Sequence, residues 1–506
     1  MSATQPAPGA AAAPPAGSGL DRATLDLPYT YQDDHFVDGA WAPSTGTGRI
    51  AVVDPATEEA WGAVPDATGE DVERAVAAAR RALPGWAATA PSERAAYLRR
   101  IAEEVERRAQ PLAWTNTREN GSPLAETSGA AANAAGILRY FATLAEHLET
   151  PDVRPFPNGA GETVVGWDPV GVCALIAPWN FPINLVVIKL APALLAGCTV
   201  VIKPASPTPL SIRLVLDAVA AAGVPAGVVN LVTGGGAVGD ALVRHPHVAK
   251  VAFTGSTPVG RRIAAACGEL LRPVTLELGG KSAGIVLPDV DLEEMSRALI
   301  RSCLRNTGQT CYISTRLLVP AARYGEVVDA ITATVAAAPL GDPLDVRTVF
   351  GPVATRAQYD TVLEYLAAGH AEGARATTGG AAAEADRGYY VQPTVFADVT
   401  PGMRIAREEI FGPVLAVLRY ESEDEAVALA NDTAFGLGGI VFSADAEHAY
   451  RVARRVDTGS IGLNFFASNH SAPFGGRGDS GLGVEYGLEG LHAYLSPQSV
   501  HRRVAR

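Results

Sequence analysis

From residue 171 to 281, short apolar runs alternate with helical stretches, and this alternation constrains the fold of the 506-residue chain more than any other feature. The runs are VCALIA, TVVIKP, VVNLVTG, VAKVAFTG and PVTLELGG, separated by segments of helical character that begin near 183, 208, 237 and 258. A strand covered on both faces reads as an unbroken β-branched run, so the pattern predicts a parallel, doubly wound α/β sheet. In such sheets the functional crevice lies at the carboxyl ends of the strands.

The flanking regions read differently. EDVERAVAAARRAL and SERAAYLRRIAEEVERRAQ place apolar residues at helical spacing, with Ser92 as the expected N-cap and Glu93 close behind. Residues 151–170 are rich in Pro and Gly around an extended ETVVGW segment. After 281 a second alternating series begins: AGIVLP, the helix LEEMSRALIRSCL, RLLVP, a helix from 324, and strands near VLAVLRY and GGIVFS. The Ala/Pro/Gly-biased first 20 residues read as a disordered tail without the basic and apolar regions of a secretory signal.

Composition narrows the function classes. With 41 Lys+Arg against 54 Asp+Glu, the net charge of −13 disfavours nucleic acid and anionic membranes as partners. The apolar stretch 170–202 is broken by Trp179, Asn180, Pro182, Asn184, Lys189 and Pro192, so it cannot span a bilayer. Five scattered cysteines without a C-x-x-C suggest neither a disulfide framework nor a metal site, and favour a reducing cytoplasm. Only Lys189, Lys203, Lys250 and Lys281 are lysines, which singles out each of them.

Several short segments carry chemistry. Gly234-Gly235-Gly236-Ala237-Val238-Gly239 matches G-x-G-x-x-G. It comes late in the sheet and lacks an acidic residue about 20 positions on, so it is set aside as the pyrophosphate site. Phe253-Thr254-Gly255-Ser256-Thr257-Pro258-Val259-Gly260 is better placed, following a strand and opening a helix, with a hydroxyl and free N–H groups for an anion. Cys311 lies in the polar turn NTGQTC, unlike the four cysteines in apolar runs. Glu277 ends an apolar strand, where a buried carboxylate is costly unless it works as an acid or base. Asn180, in PWNFP, offers an amide donor at another strand end. Each position alone also admits a bland reading: a capped helix start, an inert thiol, a strand-end side chain. Together they supply a nucleophile, a base and an oxyanion donor beside a nucleotide cradle.

That combination resembles the aldehyde dehydrogenase superfamily. The motifs PWNFP, KPAS, FTGST, LELGGK, GQTC, EEIFGP and PFGG occur in the family's order between about 35 and 495. The resemblance implies a Rossmann-like dinucleotide-binding domain (21–150 and 171–281), an α/β catalytic domain (282–475), and a β-arm with the C-terminal segment (151–170 and 476–506). It implies that Cys311 attacks an aldehyde, that Asn180 and the Cys311 N–H hold the oxyanion, and that Glu277 activates the hydrolytic water. Glu485 would relay protons. NAD would be held by Trp179, Lys203, Ser206, Gly255, Ser256, Gly260, Leu278, Glu409 and Phe411. The substrate pocket would comprise Phe181, Leu185, Ile188, Thr310, Tyr312, Phe465 and Phe466, with Val186 also facing the tunnel. A homodimer or homotetramer follows from the arm, which is marginal alone.

One departure bears on the cofactor. NAD-preferring relatives often carry glutamate where this chain has Ser206, so the charge that repels a 2′-phosphate is absent and NADP becomes admissible. Three competing readings are weaker. CoA-acylating or semialdehyde-specific relatives are the nearest, but the CoA-acylating ones tend to lack the base that Glu277 provides. A non-catalytic relative would not need Cys311, Glu277 and Asn180, and a thiol hydrolase would leave Lys203 and Glu409 unexplained. Aliphatic residues after Asn180 favour apolar aldehydes. Betaine-type aldehydes would need an aromatic cage, and semialdehydes an arginine clamp, for which Arg301, Arg305 and Arg477 are the candidates.

Overall fold

The computed structural model describes residues 20–503, so the expected N-terminal tail lies almost wholly outside the described residues. The alternating series folds as β1 (Val172–Ile176), α1 (Pro182–Ala196), β2 (Thr199–Lys203), α2 (Leu210–Ala221), β3 (Val229–Leu231), α3 (Gly236–Arg244), β4 (Lys250–Thr254), α4 (Thr257–Glu269) and β5 (Val274–Glu277). Every residue of β1, β2, β3 and β4 is buried, as unbroken apolar runs require. These strands pair in parallel in the order 3-2-1-4-5. The strand order therefore reverses between β1 and β4, and a crevice opens there at the carboxyl ends.

Two strand regions that no apolar run marks extend this sheet, one within 21–150 as expected and one within 476–506, the segment expected to go with the arm. Asp34–Val37 and Ala40–Pro43 form a hairpin that adds antiparallel beside β3, through Phe36 opposite Leu231. At the other edge Gly481–Leu482 pairs antiparallel with β5. A second sheet of seven strands is built around β6 (Ala283–Val286) and β7 (Arg316–Pro320), joined by helix α5 (Leu292–Cys303). All its pairings are parallel except that of the edge strand Arg375–Thr378. Gly69–Ala88 and Pro91–Arg107 are helices, as their periodicity requires. The N-cap of the second is Ala90, not Ser92, because Pro91 takes the first helical position, where its missing N–H costs nothing. The Ser92 N–H instead donates to Glu149 at 2.9 Å. Asp152–Pro155, Glu162–Pro169 and Leu495–Arg502 form a separate three-stranded antiparallel sheet. Among the described residues, no helix is long and apolar enough to cross a membrane.

Candidate active site

Cys311 lies on a loop whose backbone is unusually constrained. Asn306, Thr307 and Gly308 run in succession through the left-handed region, at φ of 55°, 57° and 74°. A Cβ on Gly308 would fall 1.9 Å from the Gly412 carbonyl oxygen, so only glycine fits there. Gln309 pins the loop, with its side-chain oxygen accepting from the Ala354 N–H at 2.9 Å. The Thr310 hydroxyl donates to the Arg305 carbonyl at 3.1 Å. Four cysteines are buried and Cys311 alone is partly exposed. Burial pushes its thiol pKa up, while the N–H groups of Cys311 and Tyr312 act in the opposite direction.

Asn180 stands at the β1–α1 turn. Its side-chain amide donates to the Gln309 carbonyl at 2.9 Å, which ties the turn to the cysteine loop. Its own carbonyl accepts from Asn306 and Asn120 at 3.1 and 3.2 Å. Glu277 ends β5 and is 3% exposed, and neither carboxylate oxygen has a hydrogen-bond partner. Its pKa is raised, chiefly by desolvation and then by the charge of Glu485, against the pull of Lys189. Glu485 is itself held. The fully buried Lys189 donates to it at 2.6 Å and to the Thr254 hydroxyl at 2.7 Å. The sequence reading assigned no role to Lys189 or Thr254, although a rare lysine inside an apolar helix was the available signal.

The cofactor candidates make close contacts with one another in pairs. Gly260 packs so closely that a Cβ would meet the Leu278 side chain at 2.4 Å, and a Cβ on Gly279 would meet a Glu409 carboxylate oxygen at 2.3 Å. Glu409 accepts from the Gly280 N–H at 3.1 Å, and burial raises its pKa to about 7. Phe411, held at a φ of 56°, meets the Trp179 ring edge-on at 5.3 Å. Gly255 donates its N–H to the Glu277 carbonyl, and Ser256 caps α4 without spending its hydroxyl on the helix. Burial lowers the Lys203 pKa to about 8, and its ammonium donates only to the Pro204 carbonyl. Ser206 donates to the carbonyl of Gly234, and Gly239 lies against the Lys203 chain, so the rejected glycine motif borders this region. The unbonded Ser256 hydroxyl, an ammonium using one of its three donors, a buried carboxylate and glycines that admit no Cβ fit a dinucleotide.

A cavity of about 340 Å³ opens onto Cys311, Glu277, Asn180 and Glu485. Phe181, Leu185, Ile188, Thr310 and Tyr312 line it, as do Ile183, Phe474 and Tyr486. Three expectations fail here. Val186 is fully buried in the core and does not line the cavity. Phe465 points outward, 66% exposed, and Phe466 stacks behind Tyr312 at 4.6 Å instead of facing the cavity. Both border an adjoining groove. Of the candidate arginines, Arg301 and Arg305 reach the wall, whereas Arg477 pairs with Asp457 elsewhere. No cluster of three or more metal-ligating side chains occurs among the described residues.

Comparisons with known proteins agree with this geometry. Residues 41–500 match the profile described as the aldehyde dehydrogenase family. The chain is 51% identical over 469 residues to geranial dehydrogenase of Castellaniella defragrans, covering 92% of this chain and 98% of that one. It is 41% identical over 470 residues to 3-succinoylsemialdehyde-pyridine dehydrogenase of a Pseudomonas species, covering 92% and 98%. Among solved structures it resembles a mutant of aldehyde dehydrogenase C from Pseudomonas syringae in complex with NAD+ and octanal. That likeness has a TM-score of 0.88 at 40% identity, over 95% of this chain and 97% of the other. The Mycobacterium tuberculosis aldehyde dehydrogenase with NAD+ gives 0.90 at 41% identity, over 92% and 97%.

Proposed function

The chain belongs to the aldehyde dehydrogenase family, and on that premise we propose that it oxidises apolar aldehydes to carboxylic acids by acyl transfer through Cys311. One observation carries the reading: Cys311 and the unbonded carboxylate of Glu277 open onto the same cavity, which Phe181, Leu185, Ile188 and Phe474 also line. Cys311 Sγ adds to the carbonyl, and the oxyanion is stabilised by the Asn180 side chain and the Cys311 N–H. NAD+, held by the residues named below, would supply the hydride acceptor for oxidation of the Cys311 adduct to the thioester. Glu277 takes a proton from water, which hydrolyses the thioester and frees Cys311. Glu485, held by Lys189, takes part in passing that proton outward. The buried base favours water over CoA as the acyl acceptor.

Lys203 and Ser206 are assigned to the adenine ribose, Ser256 to the pyrophosphate, and Glu409 to the nicotinamide ribose. NAD+ is the expected cofactor, and NADP+ is admissible because Ser206 brings no repelling charge. The exposed arm supports a homodimer or homotetramer, and the sparse unpaired cysteines support a cytoplasmic setting.

The relative named for geranial and the neighbour holding octanal support apolar substrates. Each methylene buried in such a tunnel contributes ~0.8 kcal/mol. Steady-state assays with octanal, geranial, succinic semialdehyde and betaine aldehyde, each with NAD+ and NADP+, test the reading. Apolar aldehydes should lead in kcat/KM by about tenfold, equivalent to ~1.4 kcal/mol. A lead of that size for either charged aldehyde would overturn it.

A further inference from the structure

The cavity wall is not free of charge. Arg305, on the loop leading to Cys311, donates through Nε to Glu126 at 2.8 Å, and a second nitrogen of the same guanidinium contacts the same carboxylate oxygen. Its remaining terminal nitrogen donates to the Tyr312 hydroxyl. The guanidinium also sits 5.1 Å from the centre of the Phe181 ring. All four residues line the cavity. The two charged side chains are only 23% and 22% exposed, so each is largely withdrawn from solvent and compensated mainly by the other.

The other charged groups facing the cavity are accounted for separately. Arg301 is exposed, where solvent screens it. Glu485 is engaged by Lys189, and Glu277 belongs to the catalytic end.

We propose that Arg305 and Glu126 act as a charge lock that selects aldehydes with a neutral distal end. This inference rests on the aldehyde-oxidising reading above. An anionic distal group would find Arg305 already bonded and Glu126 beside it, and a cationic one would meet the reverse. Selectivity for apolar substrates then comes from two charges that cancel, and removing either one should redirect it. Without the Glu126 charge, Arg305 becomes a free donor fork for carboxylates. Without Arg305, Glu126 and the faces of Phe181 and Tyr312 become a site for an ammonium.

The test uses three aldehydes of equal chain length: octanal, ω-oxooctanoate and ω-aminooctanal. They are assayed with NAD+ on the wild type, Glu126→Gln, Arg305→Gln and the double variant. Glu126→Gln should raise kcat/KM for ω-oxooctanoate by about tenfold or more, mainly through KM, without helping ω-aminooctanal. Arg305→Gln should do the opposite. The double variant should lose both gains, an outcome that a merely structural role for either residue would not produce. The proposal is overturned if each single variant binds NAD+ and neither gains on its matching charged aldehyde. Should one single variant fail to fold, the other decides: a folded variant that binds NAD+ and gains nothing on its matching charged aldehyde sinks the lock. Failure of the wild type to oxidise octanal at all would instead defeat the underlying reading of the function.

Discussion

At the residue scale the site turns on Glu277, whose carboxylate is 3% exposed and bonded to nothing. Desolvation holds its pKa above the ordinary carboxyl range, so the group stays protonated, and unable to accept a proton, at pH values where a surface glutamate is already charged. Hydrolysis of the thioester should therefore rise with pH through the raised value and then level off. The same shift lowers folding stability as pH increases above the normal carboxyl pKa, because the unfolded chain releases that proton first. A kcat profile should show one ascending limb well above the usual carboxylate range, absent in Glu277→Gln. A limb within the ordinary range, or one that survives the substitution, would contradict the assignment. Cys311, Glu277 and Asn180 were legible because each breaks the rule of its local pattern: a thiol in a polar turn, a carboxylate in an apolar strand, an amide at a strand end. Lys189 was half legible, as a rare lysine in an apolar helix. Its contacts were not, since Thr254 and Glu485 lie 65 and 296 positions away.

At the scale of elements, buried polar joints hold the helices. Glu119, at the end of helix Ala109–Asn120, is fully buried and accepts from the Leu210 and Ser211 N–H groups at 2.7 and 3.2 Å and from the Ser211 hydroxyl. It thereby serves as the cap that the first turn of α2 otherwise lacks. Glu119→Ala should cost about 2 kcal/mol or more, because it strands three buried donors. Urea denaturation measures this, and a loss below ~0.5 kcal/mol would mean that the donors find another partner. No sequence pattern pairs Glu119 with α2, whereas periodicity alone located both helices of 69–107. The hairpin at 34–43 was illegible for another reason. Its strands are short, and Ala40–Pro43 buries no residue fully, so no apolar run marks it. Ser92 misled because Pro91, one position earlier, is the better first helical residue.

At the scale of the whole molecule, the cavity takes Thr254 and Glu277 from the ends of β4 and β5 and Arg301, Arg305 and Cys311 from α5 and the loop after it, and the arm forms a sheet of its own. Its outer strand Leu495–Arg502 is exposed along its length except at Leu495, and it pairs with Glu162–Pro169 across eight residues. An exposed sheet edge offers a row of unpaired N–H and C=O groups to another chain. Truncation after Tyr494 should therefore lower the oligomeric state measured by light scattering. An unchanged mass would remove the arm from the interface. The two-sheet architecture was legible because buried parallel strands write themselves as continuous apolar runs. The cavity wall was less so: Phe465 and Phe466 turn away from it, and Arg305 lies on it with its charge already matched. The central claim, covalent acyl transfer through Cys311 with Glu277 as the base, is tested most directly by mixing Glu277→Gln with octanal and NAD+ and following both NADH and protein mass. The account predicts a burst of one NADH per subunit, slow turnover afterwards, and an octanoyl adduct on the peptide that carries Cys311. An adduct on another cysteine, or steady turnover at the wild-type rate without a burst, would contradict it.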